Sequence, residues 1–241
     1  MNYLIAEIRG HAESRPNEEI CGAVINGVVV RGKNISDEPR LHFLLDDETT
    51  QRVAEAIADG STAEIYHSHV GKRNDDFTPA DIKGAHEWEI PWMLVHTPTG
   101  RIRRYDPDAI QPYEGREWHW AYQNCFTLVS DWLRQELGIE VSRFLLESPD
   151  AWQKIGWDKF RENLGNEGFS KVEPPIQRGE RGDVVLMMLG ETRVPNHIGV
   201  IVEPSRNKIL HHCQNALSRV ATYGNSYRKA TAGVYRHASR L

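Results

Sequence analysis

Residues 105–115 read YDPDAIQPYEG. Two prolines and few apolar residues over eleven positions make this stretch a poor helix and a poor strand. The sequence on its two sides follows different patterns. Before it, short apolar runs alternate with helical periodicity; after it, one amphipathic helix comes first and strand-like runs follow. Strands interleaved with helices point to an α/β unit, and a helix followed by strands to an α+β unit. The sequence therefore predicts two units, residues 1–106 and 116–241, joined by a linker over 107–115. A chain of 241 residues is long enough for both.

In the first half, Leu4, Ile5 and Ile8 share one face of a helix. CGAVINGVVVRG sets Asn26-Gly27 between two apolar runs, a two-residue hairpin signal. DDETTQRVAEAIADG has acidic residues in its first turn and Gly60 at its end, as a helix should. AEIY is a short strand that delivers His67-Ser68-His69. Thr78-Pro79-Ala80-Asp81 opens the next helix, with a hydroxyl at the N-cap and proline at the first helical position. PWMLVHTPTGRIRRYD reads as a hairpin about a Thr-Gly turn. In the second half, NCFTLVSDWLRQELG is helical, with Phe126, Val129, Trp132, Leu133 and Leu137 on one face and Gly138 ending it. Residues 142–180 are mixed, with Trp152, Trp157 and a Pro-Pro pair at 174–175. GDVVLMML, HIGVIV and KILHH are strand-like.

The net charge of −5 gives no pull toward nucleic acid. No apolar run approaches the roughly 20 residues of a membrane span. The start, MNYLIAEIRGHAES, has no basic segment and carries Glu7, so no secretory leader is expected there. Cys21, Cys125 and Cys213 are widely spaced and odd in number, which disfavours a disulfide framework and suits a reducing compartment.

Two constellations carry chemistry. Side chains alternate along a strand, so His67 and His69 share a face, and Asp81 at the next helix start can swing back toward them. Two imidazoles and one carboxylate make the ligand set of a catalytic zinc, with one position left open. Glu19 is the available base. The same residues also read as two surface histidines and a carboxylate that complements a helix dipole. In the second half, Cys125 opens a helix behind Asn124. A helix N-terminus favours the thiolate and predicts a pKa below about 8.5. A cysteine nucleophile needs a histidine base and a group that orients it. His197 opens one strand and His211 closes the next, so antiparallel pairing sets them side by side. His212, one step away, would face the other side. Cys213 beside these histidines offers a Cys/His metal site as an alternative. Tyr122 fits an oxyanion pocket or simple packing, and Cys21 reads as a small apolar residue.

Glu19-Ile20-Cys21-Gly22, His67-Ser68-His69 and Thr78-Pro79-Ala80-Asp81 together resemble the JAMM (Mov34/MPN) metalloprotease signature. The resemblance implies a cytidine-deaminase-like α/β sheet with helices. It implies Zn2+ held by His67, His69 and Asp81, Glu19 as base, and Thr78 where the family has a serine that stabilises an oxyanion. Val70 replaces the family's usual proline, and the loop to Asp81 is one residue longer. NCFTLVSDWLRQELGI, GDVVLMML, PNHIGVIV and KILHH resemble the NlpC/P60 family, papain-like α+β cysteine peptidases of cell-wall peptides. That implies Cys125 as nucleophile, His197 as base and His211 as third member, with Asn124 in place of the usual aspartate.

The fusion of the two, with NISDEP, PWMLVHTPTG and VPNHIGVIV, resembles the tail tip assembly family of lambda-like phages. This resemblance implies phage tail tip proteins and peptidoglycan stem peptides as partners. It also implies assembly in the host cytoplasm and action at the tail tip or cell wall. Two other readings stay open: a non-catalytic structural component of the tail tip, and a bacterial isopeptidase acting on ubiquitin-like modifiers.

Overall fold

A computed structural model describes residues 2–71, 75–109, 111–142, 155–172 and 179–241. Trp152 and the Pro-Pro pair at 174–175 lie outside the described residues. The chain is a mixed α/β protein that divides into two units, Met1–Ile110 and Gln111–Leu241. Among the described residues no helix is long and apolar enough to cross a membrane.

The first unit is built on a five-stranded sheet. Helix α1 (Asn2–Ser14) precedes a hairpin of β1 (Cys21–Ile25) and β2 (Val28–Arg31). Its turn puts Asn26 at φ 50° and Gly27 at φ 77°, the left-handed pair that a tight hairpin needs and that Asn-Gly tolerates best. Helix α2 (Asp47–Ala58) starts at Asp46, whose carboxylate accepts from the Thr49 N–H. Then come β3 (Ala63–His69), α3 (Pro79–Trp88), β4 (Trp92–His96) and β5 (Arg101–Tyr105). The strand order is β2-β1-β3-β4-β5. Only the β3–β4 pairing is parallel, because α3 carries the chain back across the sheet.

Strand β3 is longer than the sequence suggests: its ladder runs through both histidines, with His67 opposite Leu94 and His69 opposite His96. Tyr66, Met93 and Val95 pack with Ile8 and Ala12 of α1. Alternation then sends Ile65, His67 and His69 to the opposite face. Gly84 of α3 lies so close to Trp92 that an added Cβ would sit 2.6 Å from the indole, so α3 can lie flat on β4 only with glycine there.

The second unit has a six-stranded sheet. Helix α4 (Cys125–Leu137) comes first, then α5 (Lys159–Asn166), β6 (Phe169–Lys171), β7 (Val184–Met187), β8 (His197–Glu203), β9 (Lys208–His211), β10 (Arg219–Thr222), α6 (Asn225–Ala230) and β11 (Thr231–His237). The strand order is β10-β9-β8-β7-β11-β6. One face buries Phe126, Val129, Trp132, Leu133, Phe160 and Leu186 among others. The other covers Val185, Met187, Ile201, Ile209 and Val234, with Tyr227 and Ala230 against them.

Helix α4 departs from the one-face pattern, since its first six residues, Cys125 to Ser130, are all buried. Strands β6, β10 and β11 and helices α5 and α6 have no clear signal in the sequence. TAGVYRH, the β11 stretch, carries a glycine at an irregular register and an arginine. That arginine, Arg236, makes paired bonds of 2.8 and 2.9 Å to the fully buried Asp183, a geometry that compensates two charges taken out of water. Residues at the predicted linker join this unit. The Gly115 N–H donates to the Ser218 carbonyl, and the Val220 N–H to the Glu114 carboxylate.

Candidate functional site

Strand β3 and the start of α3 bring the first constellation together. His67, His69 and Asp81 are all buried, and one ligand atom from each lies within 4.8 Å of the others. His67 Nε2 stands 3.4 Å from Asp81 Oδ1, and His69 Nε2 stands 3.6 Å from Asp81 Oδ2. Asp81 is the third residue of α3, and the cap fixes it. The Thr78 N–H and the Thr78 hydroxyl each donate to Asp81 Oδ2 at 2.7 Å, while the Asp81 N–H returns a bond to Thr78 Oγ1 at 3.3 Å. The hydroxyl proton of Thr78 is thus spent on the carboxylate rather than turned toward a substrate.

Burial works against the charge of Asp81. The His67 imidazole and bonds from His67, His69 and the Thr78 backbone outweigh it and hold the carboxyl far below the usual range. A buried anion beside two imidazole nitrogens is the donor chemistry of a divalent metal centre.

Glu19 reaches the same place from the stretch just before β1. Cys21 pairs with His67 in the β1–β3 register, and continuing that register sets Glu19 across from His69. Cross-strand partners share a face, so Glu19 belongs to the histidine side. It is 1% exposed and lines a cavity of about 310 Å³ with Phe43, Thr78, Asp81, Trp88 and Trp92. Cys21 beside it has its thiol pushed up to about 12 by burial, then by Asp46 and Glu19.

Two residues of this site escaped the sequence reading. Phe43 stacks on the His67 ring, with centroids 4.6 Å apart and planes 20° apart. Asn34 ties down the loop that carries Phe43. Its amide donates to the carbonyls of Glu19 and His42 at 2.8 and 3.0 Å, and its Oδ1 accepts from the Ser36 and Leu44 N–H groups. Asn34-Ile35-Ser36-Asp37 carries a turn signal, but nothing local announces Phe43.

The second constellation gathers at the N-terminus of α4 and the adjoining ends of β8 and β9. His197 Nε2 is 3.0 Å from His211 Nδ1, and His211 Nε2 is 3.3 Å from the Tyr227 hydroxyl. His212 is turned away: its Nε2 meets the Ala216 carbonyl at 3.1 Å and its ring meets Trp118 edge to face. Cys125 packs in the same buried cluster as Ile198, the residue after His197, whose N–H favours the thiolate. Among the described residues no hydrogen bond joins the Cys125 sulfur to either imidazole. His197 spends Nε2 on His211, which leaves Nδ1 as its nitrogen for a thiol proton.

The expected acidity of Cys125 is reversed. The thiol is pushed up to about 12, chiefly because it is buried, and the neighbouring Cys213 adds to this against the backbone N–H groups. Asn124 competes for the same N–H groups. Its Oδ1 accepts from the Phe126 and Thr127 N–H groups at 2.9 and 3.1 Å, so the positive end of the helix is shared between an amide oxygen and the sulfur. His197 is held down to about 3 by burial, then by His211 and His212. His211 is held down to about 4 by burial, then by Arg219 and His212. Thiol and imidazoles are therefore neutral at pH 7. Tyr122 stacks on His119 with centroids 4.8 Å apart. Tyr227, more than a hundred positions after Cys125, had no sequence signal.

No protein-family model matches the chain. Among solved structures, an NlpC/P60 family protein from Bacillus cereus ATCC 10987 aligns at a TM-score of 0.37 and 10% identity, covering 95% of this chain and 66% of that one. A likeness that loose carries no argument. The chain is 28% identical over 183 residues to Tail tip assembly protein K of Escherichia phage lambda, which covers 76% of this chain and 85% of that protein. It is 29% identical over 240 residues to Tail tip assembly protein K of Escherichia phage N15, 97% of this chain and 93% of that protein. Along nearly its whole length, the chain is thus similar to phage tail tip assembly proteins.

Proposed function

We propose that the chain works in phage tail tip assembly and carries two hydrolytic sites: a JAMM-like metal centre in the first unit and an NlpC/P60-like thiol peptidase in the second. The observation that carries the peptidase reading is the His197–His211 pair at 3.0 Å, set beside a helix-opening cysteine buried in the same core cluster as Ile198. The substrate class is the stem peptide of peptidoglycan, met when the tail tip reaches the wall after assembly in the host cytoplasm.

In the thiol site, Cys125 Sγ attacks the scissile carbonyl carbon while His197 takes the thiol proton. His197 then gives that proton to the departing amine, and water releases the acyl group from sulfur. His211 accepts or donates at His197 Nε2 and sets its tautomer, with Tyr227 holding the far side of the His211 ring. With both partners neutral at rest, the proton moves during attack rather than before it, so His197 acts as a general base.

In the first unit, His67, His69 and Asp81 would hold Zn2+. When bound, the ion supplies Lewis-acid polarisation of a peptide carbonyl. Thr78 keeps the Asp81 carboxylate in place, and Glu19 offers a carboxylate in the same cavity to take up and return a proton. The bond this unit cleaves is an isopeptide-like amide.

The test is metal analysis of the full-length protein beside a muropeptide digest, on wild type, His67→Ala and Cys125→Ala. The expected result is one zinc per chain lost in His67→Ala alone and wall-peptide cleavage lost in Cys125→Ala alone. Cleavage that survives Cys125→Ala, or wild type that leaves muropeptides intact, would overturn the peptidase reading.

A further inference from the structure

His197, His211 and Cys213 come together more closely than a catalytic pair requires. Cys213 Sγ lies 3.5 Å from His211 Nδ1 and 4.0 Å from His197 Nε2, and the two nitrogens are 3.0 Å apart. A tetrahedral ion with bonds of about 2.0–2.1 Å to nitrogen and about 2.3 Å to sulfur spaces its ligand atoms by about 3.3 Å (nitrogen to nitrogen) and about 3.6 Å (nitrogen to sulfur). Each edge of the observed triangle is within a few tenths of an ångström of that figure. A bond between two histidines accounts for the first edge alone; the sulfur is not needed for it.

The surroundings suit a ligand set. His211 and Cys213 are two apart where β9 ends, so both can turn to the same side. The nitrogen of His211 that points away from the triangle is within 3.3 Å of the Tyr227 hydroxyl, the outer contact that fixes a ligating imidazole. Cys213 is only half-buried, while both histidines are buried, so the open side of the triangle is the sulfur side.

We propose that His197, His211 and Cys213 form a second metal site, for a soft or borderline divalent ion such as Zn2+, and that filling it silences the thiol site. Two imidazoles and a thiolate select such an ion over Mg2+ or Ca2+. The silencing rests on the peptidase reading above, because an ion on His197 Nε2 and His211 Nδ1 breaks the bond that orients the base; the binding does not. Free zinc would then hold the thiol peptidase off, and its removal would release it.

Cobalt(II) titration of the full-length protein tests the site without any activity assay. A thiolate ligand gives a near-ultraviolet sulfur-to-cobalt charge-transfer band, which the His67–His69–Asp81 centre has no sulfur to produce. The band is expected in wild type, His67→Ala and Cys125→Ala, and lost in Cys213→Ser. Tyr227→Phe is expected to keep the band and weaken metal binding by about 10–100-fold. No band at saturating cobalt, or a band that persists in Cys213→Ser, overturns the site. Zinc inhibition of muropeptide cleavage, each protein normalised to its own metal-free rate, is expected to need at least tenfold more zinc in Cys213→Ser. Equal inhibition of both proteins, or none in wild type, overturns the silencing. A cobalt band that behaves as expected in a protein that never cleaves muropeptides supports the metal site and removes the peptidase reading instead.

Discussion

The two clusters use similar side chains but reach their geometry by opposite routes. His67, His69 and Asp81 fall within fifteen consecutive residues, on a strand and the first turn of the helix that follows. The bonds that hold Asp81 are those of the helix cap itself. Cys125, His197, His211 and Tyr227 come instead from four separate elements, and only the β8–β9 register and the packing of α4 against those strands align them. The first cluster is local chemistry that any correctly started helix delivers; the second exists only once a sheet is complete. Burial also acts differently in each. Asp81 keeps its charge because His67, His69 and Thr78 compensate it. Cys125 loses its charge because it is fully buried, and the nearby N–H groups of Ile198 and Phe126 do not offset that cost.

The largest test of this contrast is Cys125→Ala. Loss of the nucleophile should lower wall-peptide cleavage by about 10³-fold or more, while zinc content, measured by elemental analysis, stays at the wild-type value. A parallel loss of zinc would mean that the two clusters are not independent.

Acidification comes next. His197, His211 and His212 have folded values of about 3, about 4 and about 4, each lowered first by burial. The unfolded chain takes up these protons near pH 6.5. The stability they contribute is therefore full above about pH 6.5 and is lost as pH falls toward about 4. Among the described residues, His11 is the first unit's counterpart, lowered to about 4 by burial, Arg31 and Arg15. The lowered Asp81 gives up its share only below about pH 4. Hydrogen-exchange protection, each rate divided by its intrinsic rate at that pH, should thus fall more between pH 7 and pH 5 in β8 and β9 than in β1 and β3. Equal loss of protection would sink the contrast.

Thr78→Val removes the hydroxyl from the carboxylate and should weaken zinc binding in the first unit by about 10–100-fold, with Thr78→Ser restoring it. A competition titration with a chelator reads this, and an unchanged affinity would show that the cap is not what positions Asp81. The smallest effect is Asn124→Ala. It removes a bifurcated cap and should cost about 1 kcal/mol, seen as a lower melting temperature, with the Cys125 thiol more reactive toward alkylating reagents as the freed N–H groups turn to sulfur.

The same contrast explains what was legible in the sequence. His67-Ser68-His69 and Thr78-Pro79-Ala80-Asp81 could be read because strand alternation and capping are short-range rules. The Asn26-Gly27 hairpin was legible for the same reason. The choice of His211 over His212 followed from alternation once the two strands were paired. Phe43 and Tyr227 were hidden because they touch their histidines only through tertiary folding. The pKa of Cys125 was misjudged because a helix N-terminus is visible in sequence while complete burial is not. Strand β11 was missed because its arginine is an inward-facing charge whose partner, Asp183, lies fifty-three positions away.

That strand has a consequence for timing. Although it follows every other strand of the second unit in the chain, β11 lies inside the sheet, between β7 and β6. On a ribosome, β6 must wait unpaired until residue 237 has emerged, and β7 has only one neighbour until then. The second unit can therefore complete its sheet only after its own synthesis has passed this point, so a ribosome stalled earlier would release a chain with a finished first unit and an unfinished second one.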